Sequence, residues 1–353
     1  MSKIHAAVRR KGKSEQHLPK KIPTRMKRSG SRQSARVRES PPIENQSQAW
    51  QSRRHYLVHA DAYDFLRTLP TNTVDLMLTS PPYWGQRSYG MEHNWEILAK
   101  WNAGRRSEEI PSYEWYRENG GVLGLEPLPE WYIDHLIEIF ELTKGSLKPE
   151  GSLWINVGDT YFARWASIRD NGRQGLADEE RFRRKTPMGG FRQEKQLLLI
   201  PARFAIAMQN RRWILRNDLI WYKPNVPPRP EKDRLRLAHE HFFHFVNRPK
   251  EGRAKYFYDL RQAESQGTDV VTYNASPGED THTATFPTKL IAPRILSSCP
   301  IGGLVVDPFC GTGRTLAVAV ENGRRGWGCD LVADYALNAK HAFNGDRSNG
   351  KTR

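Results

Sequence analysis

Leu304-Val305-Val306-Asp307-Pro308-Phe309-Cys310-Gly311-Thr312-Gly313-Arg314-Thr315 reads as an apolar strand that passes through a glycine turn into a helix over 314–322. Gly311 and Gly313 let the backbone approach a ligand where a Cβ would collide, and the helix N-terminus favours a negative group nearby. The next strand, 326–330, ends on Asp330, 23 residues past Asp307. A carboxylate there can accept both hydroxyls of a ribose, as in nucleotide-binding α/β folds. The stretch is not a P-loop, because no Gly-Lys-Ser/Thr follows, and it lacks the third glycine of the dinucleotide fingerprint. Taken alone it also fits a plain strand–helix turn. Only 38 residues follow Thr315. If this is the first strand–helix unit of a nucleotide fold, the other strands come from upstream and the sequence order is a circular permutation of the spatial order.

Upstream, strand and helix signals do alternate. Residues 56–59, 74–79, 152–157, 213–222 and 240–246 read as strands, and 130–147 and 201–210 as helices. That alternation predicts an α/β fold with a mostly parallel sheet and helices on both faces. Thr79-Ser80-Pro81-Pro82-Tyr83-Trp84 follows the second strand directly. Paired prolines stop strands and helices alike, which accounts for the prolines but not for the serine before them or the aromatic pair after them. A rigid, extended segment at the C-terminal end of a strand lies on the ligand-facing edge of such a sheet. An everted base could donate its exocyclic amine to Ser80 Oγ and the Pro81 carbonyl while Tyr83 stacks on its face.

Charge is uneven along the 353 residues, which carry 55 Lys plus Arg against 39 Asp plus Glu, a formal +16. Residues 1–54 hold 15 Lys/Arg and 3 Asp/Glu, a net of +12 that leaves +4 for the rest. The first 49 residues contain no Trp, Phe or Tyr, so a disordered basic tail is expected over 1–54, read either as an arm for nucleic-acid phosphate or as a solubilising leader. Three stretches break the strand–helix alternation: 85–129, rich in Trp and Tyr; 160–195, at +4; and 247–281, which contains Lys255-Tyr256-Phe257-Tyr258. No apolar run approaches the roughly 18 residues of a membrane span, and the first 30 residues contain no signal-peptide core. A cytoplasmic protein is expected. The three cysteines, Cys299, Cys310 and Cys329, form no CxxC pair, and none follows a proline as the nucleophile of a C5-cytosine methylase would. His239-Glu240-His241 falls short of a HExxH zinc helix, since position 243 is Phe. No metal is expected.

With both motifs in view, the chain resembles the amino-methylating DNA methyltransferases, and within them the permuted β group, in which the target-amine motif precedes the cofactor motif. Ser80-Pro81-Pro82-Tyr83 is similar to the motif of the N4-cytosine enzymes, whereas N6-adenine enzymes mostly carry Asp or Asn in place of the serine. His59-Ala-Asp61, Trp154-Ile-Asn-Val-Gly-Asp159-Thr-Tyr, Ile214-Leu-Arg-Asn-Asp-Leu-Ile-Trp-Tyr-Lys223-Pro-Asn, His239-Glu240-His-Phe-Phe and Thr285-Phe286-Pro287-Thr-Lys-Leu290 resemble further family motifs, so the likeness covers about residues 55–340. It implies a Rossmann-like methyltransferase fold with a seven-stranded sheet and circularly permuted motif order. The implied division is a catalytic part over 55–246 with inserts at 85–129 and 160–195, a short candidate target-recognition segment over 247–281, and a cofactor-binding part over 282–345.

The resemblance implies S-adenosylmethionine as cofactor. Its methionine end would meet Asp307, Phe309, Gly311, Gly313 and Thr315, with Phe286 lining the same pocket. Asp330 would hold its ribose and Asp61 its adenine edge. Ser80, Pro81, Pro82 and Tyr83 would hold a flipped cytosine from double-stranded DNA, with direct in-line transfer to N4. Adenine N6 methylation uses the same amine chemistry and stays open, as do a catalytically inactive DNA-binding module and amine methylation of RNA or protein. Expected partners are DNA and a restriction endonuclease acting on the same site, with an orphan or phage-encoded enzyme equally compatible. A monomer or homodimer associated with the nucleoid is expected.

Overall fold

The structure, a computed structural model, describes residues 54–103, 109–168, 182–228, 230–263, 267–275 and 287–333. The expected basic tail, apart from Arg54, and Phe286 lie outside these residues. In chain order the elements are β1 His55–His59, α1 Ala62–Thr68, β2 Val74–Thr79, α2 Ile97–Asn102, α3 Tyr113–Glu118 and α4 Pro129–Glu141. After these come β3 Leu147–Val157, the pair β4 Trp165–Ile168 and β5 Phe182–Lys185, α5 Ile200–Asn210, β6 Ile214–Tyr222 and β7 His239–Val246. The chain continues with β8 Val270–Thr272, α6 Thr288–Ser298, β9 Leu304–Asp307, α7 Arg314–Glu321 and β10 Arg325–Asp330.

The main sheet has the order β1-β10-β9-β2-β3-β7-β6-β8. Every neighbouring pair is parallel except the two made by β7, which runs antiparallel to both β3 and β6. The sheet therefore has eight strands rather than the expected seven. The addition is β8, inside the stretch 247–281, which pairs with β6 through Ile220↔Val270 and Tyr222↔Thr272. Three residues set in a polar stretch are too short to carry a period-2 signal, so only the edge of β6 reveals them. β9 sits between β10 and β2, so a strand near the end of the sequence occupies the middle of the sheet. The permuted order is realised.

Both faces of the sheet are covered. Met77, Leu153, Ile155, Phe243, Phe245 and Val306 face a cluster with residues of α1, α4 and α5, while Leu76, Leu78, Trp154, Phe242 and Val305 face one with α6 and α7. The alternation follows from the two-residue period of a strand. β2 is buried along its whole length, as parallel strands covered on both sides are.

The insert 85–129 belongs to this core. Trp101, Tyr113 and Tyr116, on α2 and α3, are buried against Trp131 and Tyr132 of α4. Glu126 and His135 fasten it, and both side chains are fully buried. Glu126 Oε1 lies 3.1 Å from His135 Nδ1, and its Oε2 accepts the Gly124 N–H at 2.8 Å. His135 Nε2 lies 3.1 Å from the Pro111 carbonyl. The Trp84 indole donates to the Glu126 carbonyl at 2.9 Å.

Candidate active site

Parallel neighbours end on the same edge of a sheet, and β2 pairs with β9 through Leu76↔Val305 and Met77↔Val306. The serine–proline segment and the glycine turn therefore emerge side by side. Thr79 Oγ1 donates to Asp307 Oδ1 at 2.5 Å and ties the two strand ends together. A cavity of about 1020 Å³ opens above them, at the upper end of the range for small-molecule sites. Ser80, Pro81, Pro82 and Tyr83 form one part of its wall; Asp61, Asp307, Phe309, Gly311, Thr315 and Asp330 form another. Gly313, expected beside the ligand, does not line the cavity and is instead the left-handed N-cap of α7, with φ +76°.

The glycine turn is held from below. Its φ of +52° makes Gly311 a left-handed position, and a Cβ built there would meet nothing within 4 Å. Asp330 Oδ2 accepts the Gly311 N–H at 2.8 Å, and its Oδ1 accepts the Val332 N–H at 2.9 Å. The glycine absent from the loop fingerprint is replaced on the neighbouring strand. A Cβ at Gly328 would lie 2.6 Å from the Asp307 carbonyl oxygen, and one at Gly326 would lie 3.0 Å from that of Leu316. Those two glycines let β10 approach both the turn and α7, the close-packing role of a third loop glycine.

Three carboxyls border this half of the cavity, and burial raises the pKa of each. Asp307 is pushed up to about 6 by burial, against the lowering effect of hydrogen bonds from Thr79, Thr315 and the Phe309 N–H. Asp61 caps α1, taking the Tyr63 N–H at 2.8 Å on Oδ1 and the Tyr113 hydroxyl at 3.0 Å on Oδ2. Part of the acceptor capacity expected to face a ligand is thus used within the fold.

The serine–proline half is equally constrained. Tyr132 donates to the Pro82 carbonyl at 2.7 Å, and Gly124, at φ +89°, brings its backbone against Pro82 and Tyr83. The Tyr83 ring lies on the backbone of Gly158, where a Cβ would come within 2.5 Å of Cε2. Its hydroxyl is 2.7 Å from both Asn156 Oδ1 and Glu240 Oε2. Asn156 Nδ2 donates to the His241 carbonyl at 3.0 Å, which fixes Oδ1 toward Tyr83, and Glu240 is ion-paired with Lys223. Burial first and Glu240 second push the Tyr83 phenol well above its ordinary pKa. Its hydrogen is therefore held between two acceptors, leaving oxygen lone pairs toward Ser80 Oγ at 3.5 Å. Asn156, Gly158, Lys223 and Glu240 carried no role in the sequence reading. They lay inside the quoted motifs, but Asn156 and Gly158 reach Tyr83 only once β2 and β3 pair, and Glu240, with Lys223 beside it, only once β3 and β7 pair.

The inserts contribute unequally to the walls. Gln86, Arg87 and Tyr89 come from 85–129, and Tyr161, Phe162 and Lys195 from 160–195, whereas 247–281 supplies Ala275. Most of its described length packs elsewhere, with Tyr256 and Tyr258 each 5.6 Å from the His244 ring. Among the described residues, no cluster of His, Cys, Asp or Glu is arranged to hold a metal, and no helix is long and apolar enough to cross a membrane.

A family model described as DNA methylase, covering the N6 and N4 amino-methylating enzymes, matches residues 74–341. The type II methyltransferase M.Cfr9I of Citrobacter freundii is 33% identical over 301 residues, covering 83% of this chain and 89% of its own length. M.SmaI of Serratia marcescens is 32% identical over 294 residues, covering 80% and 89%. Among solved structures, the PvuII DNA methyltransferase, titled cytosine-N4-specific, superposes with a TM-score of 0.57 at 17% identity, covering 84% of this chain and 90% of its own. At that identity the likeness speaks for the fold, a Rossmann-like methyltransferase sheet.

Proposed function

This chain belongs to the N6/N4 DNA methylase family of S-adenosylmethionine-dependent enzymes, and from that premise we propose that it methylates the N4 amino group of cytosine in duplex DNA, with the base everted into the cavity. The single observation that carries the reading is the Thr79–Asp307 hydrogen bond between adjacent strand ends, which puts the serine–proline segment and the glycine turn on one cavity. The residues fit the cofactor. Gly311 lines the cavity at a left-handed φ with open space where a Cβ would stand, and Asp330 stands at the end of the adjacent strand β10. Asp307, Phe309, Gly311 and Thr315 would hold its methionine end, Asp330 its ribose and Asp61 its adenine edge. When bound, S-adenosylmethionine supplies a sulfonium methyl group already activated for attack by an amine.

The protein's task is then to orient a poor nucleophile. The lone pair of exocyclic N4 is delocalised into the ring. Hydrogen bonds from N4–H to Ser80 Oγ and the Pro81 carbonyl would draw that nitrogen toward sp3 and free the pair. They strengthen as positive charge develops on N4, so they stabilise the transition state more than the ground state. Tyr83, held by Glu240 and Asn156, takes the hydrogen of Ser80 and leaves the serine lone pairs for the base. Ser80, rather than Asp or Asn, supports cytosine over adenine. The similar type II methyltransferases support double-stranded DNA as the partner and a restriction endonuclease sharing its site. Methylation of plasmid DNA by the purified protein, with the product nucleoside identified by mass spectrometry and its context by sequencing, tests this reading. N4-methylcytosine is expected, and N6-methyladenine as the product would overturn the choice of base.

A pH dependence follows from Asp307. Burial holds its carboxyl near 6, and the methionine end of the cofactor is cationic, so the ionised carboxylate is the binding form. Below pH 6 a proton must be released on binding. The sign is therefore a loss of cofactor affinity as pH falls, about tenfold per unit below pH 6 and levelling off above it. Calorimetric titration with S-adenosylmethionine at about pH 5 and pH 7 measures it. Equal affinities would remove Asp307 from the methionine subsite.

A further inference from the structure

Leu235 is the most exposed large apolar side chain among the described residues, at 89%. Its neighbours Arg234 and Arg236 line the cavity and Leu235 does not, so it faces solvent beside the opening. Exposure alone means little, because single apolar residues are ordinary on surfaces, and Ile301 is 82% exposed just before the N-terminal end of β9. What distinguishes Leu235 is how its loop is held. Lys195 Nζ meets Asp233 Oδ2 at 2.6 Å, tying the loop to the insert 160–195. The Arg234 guanidinium lies 3.9 Å above the Tyr161 ring, and its Nη2 is 2.6 Å from Glu231 Oε1. Arg236 Nη1 donates to the Val226 carbonyl at 2.8 Å. Ordering these long side chains costs conformational entropy, and the leucine between them recovers none of it by burial in this chain.

Everting a base leaves a gap in the stack at a cost of a few kcal/mol, and proteins that distort duplexes fill such gaps with apolar side chains. We propose that Leu235 is the wedge that enters the duplex where the target base has left it, with the charges of Arg234 and Arg236 beside it attracting the flanking phosphates. The inference rests on the reading of the cavity as a base pocket. It names the side chain on the other side of the same event: the base swings into the cavity and Leu235 occupies its former place.

The test uses duplexes carrying the site mapped on plasmid DNA, in two forms, one with the target normally paired and one with the target opposite an abasic position. Leu235→Ala should slow single-turnover methylation of the paired duplex by about 10- to 100-fold and that of the abasic-opposed duplex by no more than about threefold, because eversion is already cheap there. Leu235→Met should retain most of the paired-duplex rate, since it keeps an apolar side chain of similar volume. Ile301→Ala, equally solvent-facing but remote from the cavity, should change neither rate. If Leu235→Ala leaves both rates at wild type, or lowers both equally, the wedge is overturned. A wild-type enzyme that methylates neither duplex would instead overturn the base-pocket reading, and the wedge with it.

Discussion

Replacing Ser80 with alanine is expected to slow methyl transfer by about 100- to 1000-fold, the effect of deleting one group placed to bind charge that develops in a transition state. Cofactor affinity should stay within about twofold, because binding energy spent on the transition state does not appear in ground-state binding of the donor. The split follows from the architecture. Ser80 follows β2 and rests on its Tyr83–Glu240–Lys223 support, while the glycine turn follows β9 and leans on Asp330. Single-turnover kinetics beside calorimetric titration with S-adenosylmethionine distinguish the two. Loss of cofactor affinity with turnover per bound cofactor preserved would show that Ser80 is not the amine acceptor.

The largest effect on stability should come from Glu126→Ala. The variant leaves His135 without its carboxylate and the Gly124 N–H without its acceptor, both in fully buried surroundings. Leaving a buried hydrogen-bonding group without its partner costs about 1–3 kcal/mol, and this variant strands two of them. Glu126→Gln keeps an acceptor for Gly124 and should cost about 1–3 kcal/mol. The damage should reach the site as well, because Gly124 packs on Pro82 and Tyr83. Chemical denaturation of both variants, with turnover measured below the melting transition, checks the expectation. An unchanged midpoint for Glu126→Ala would mean the pair adds no net stability.

Much of the fold was legible because its signals are local. Apolar runs bounded by glycine and proline marked seven of the eight strands in the main sheet, and position alone implied that the strand before the glycine turn joins a sheet begun upstream. β8 escaped because three residues carry no period. The insert 85–129 read as irregular because α2 and α3 are six residues each, too short for a helical repeat of aromatics to show. Its core role follows from what α4 offers it. Tyr83 was assigned to base stacking by its place after two prolines. Its hydroxyl's ties to Asn156 and Glu240 required the β2–β3 and β3–β7 pairings, which no tetrapeptide reports. Asp61 appeared as a ligand carboxylate, and the structure adds its work as an N-cap.

Local chemistry, then, determined the pieces: where strands stop, where a left-handed turn demands glycine, where a proline pair stiffens the chain, and which family this is. Convergence was decided by tertiary structure. Thr79 and Asp307 are 228 positions apart yet hydrogen-bonded, because strand order in a sheet is set by the packing of both faces at once, and side-chain periodicity along one strand contains no information about its neighbour. The same holds for the carboxylate of Glu126 and the rim on which Leu235 stands. Burial and exposure are properties of the assembled layers, and a charged or apolar letter in the sequence carries neither.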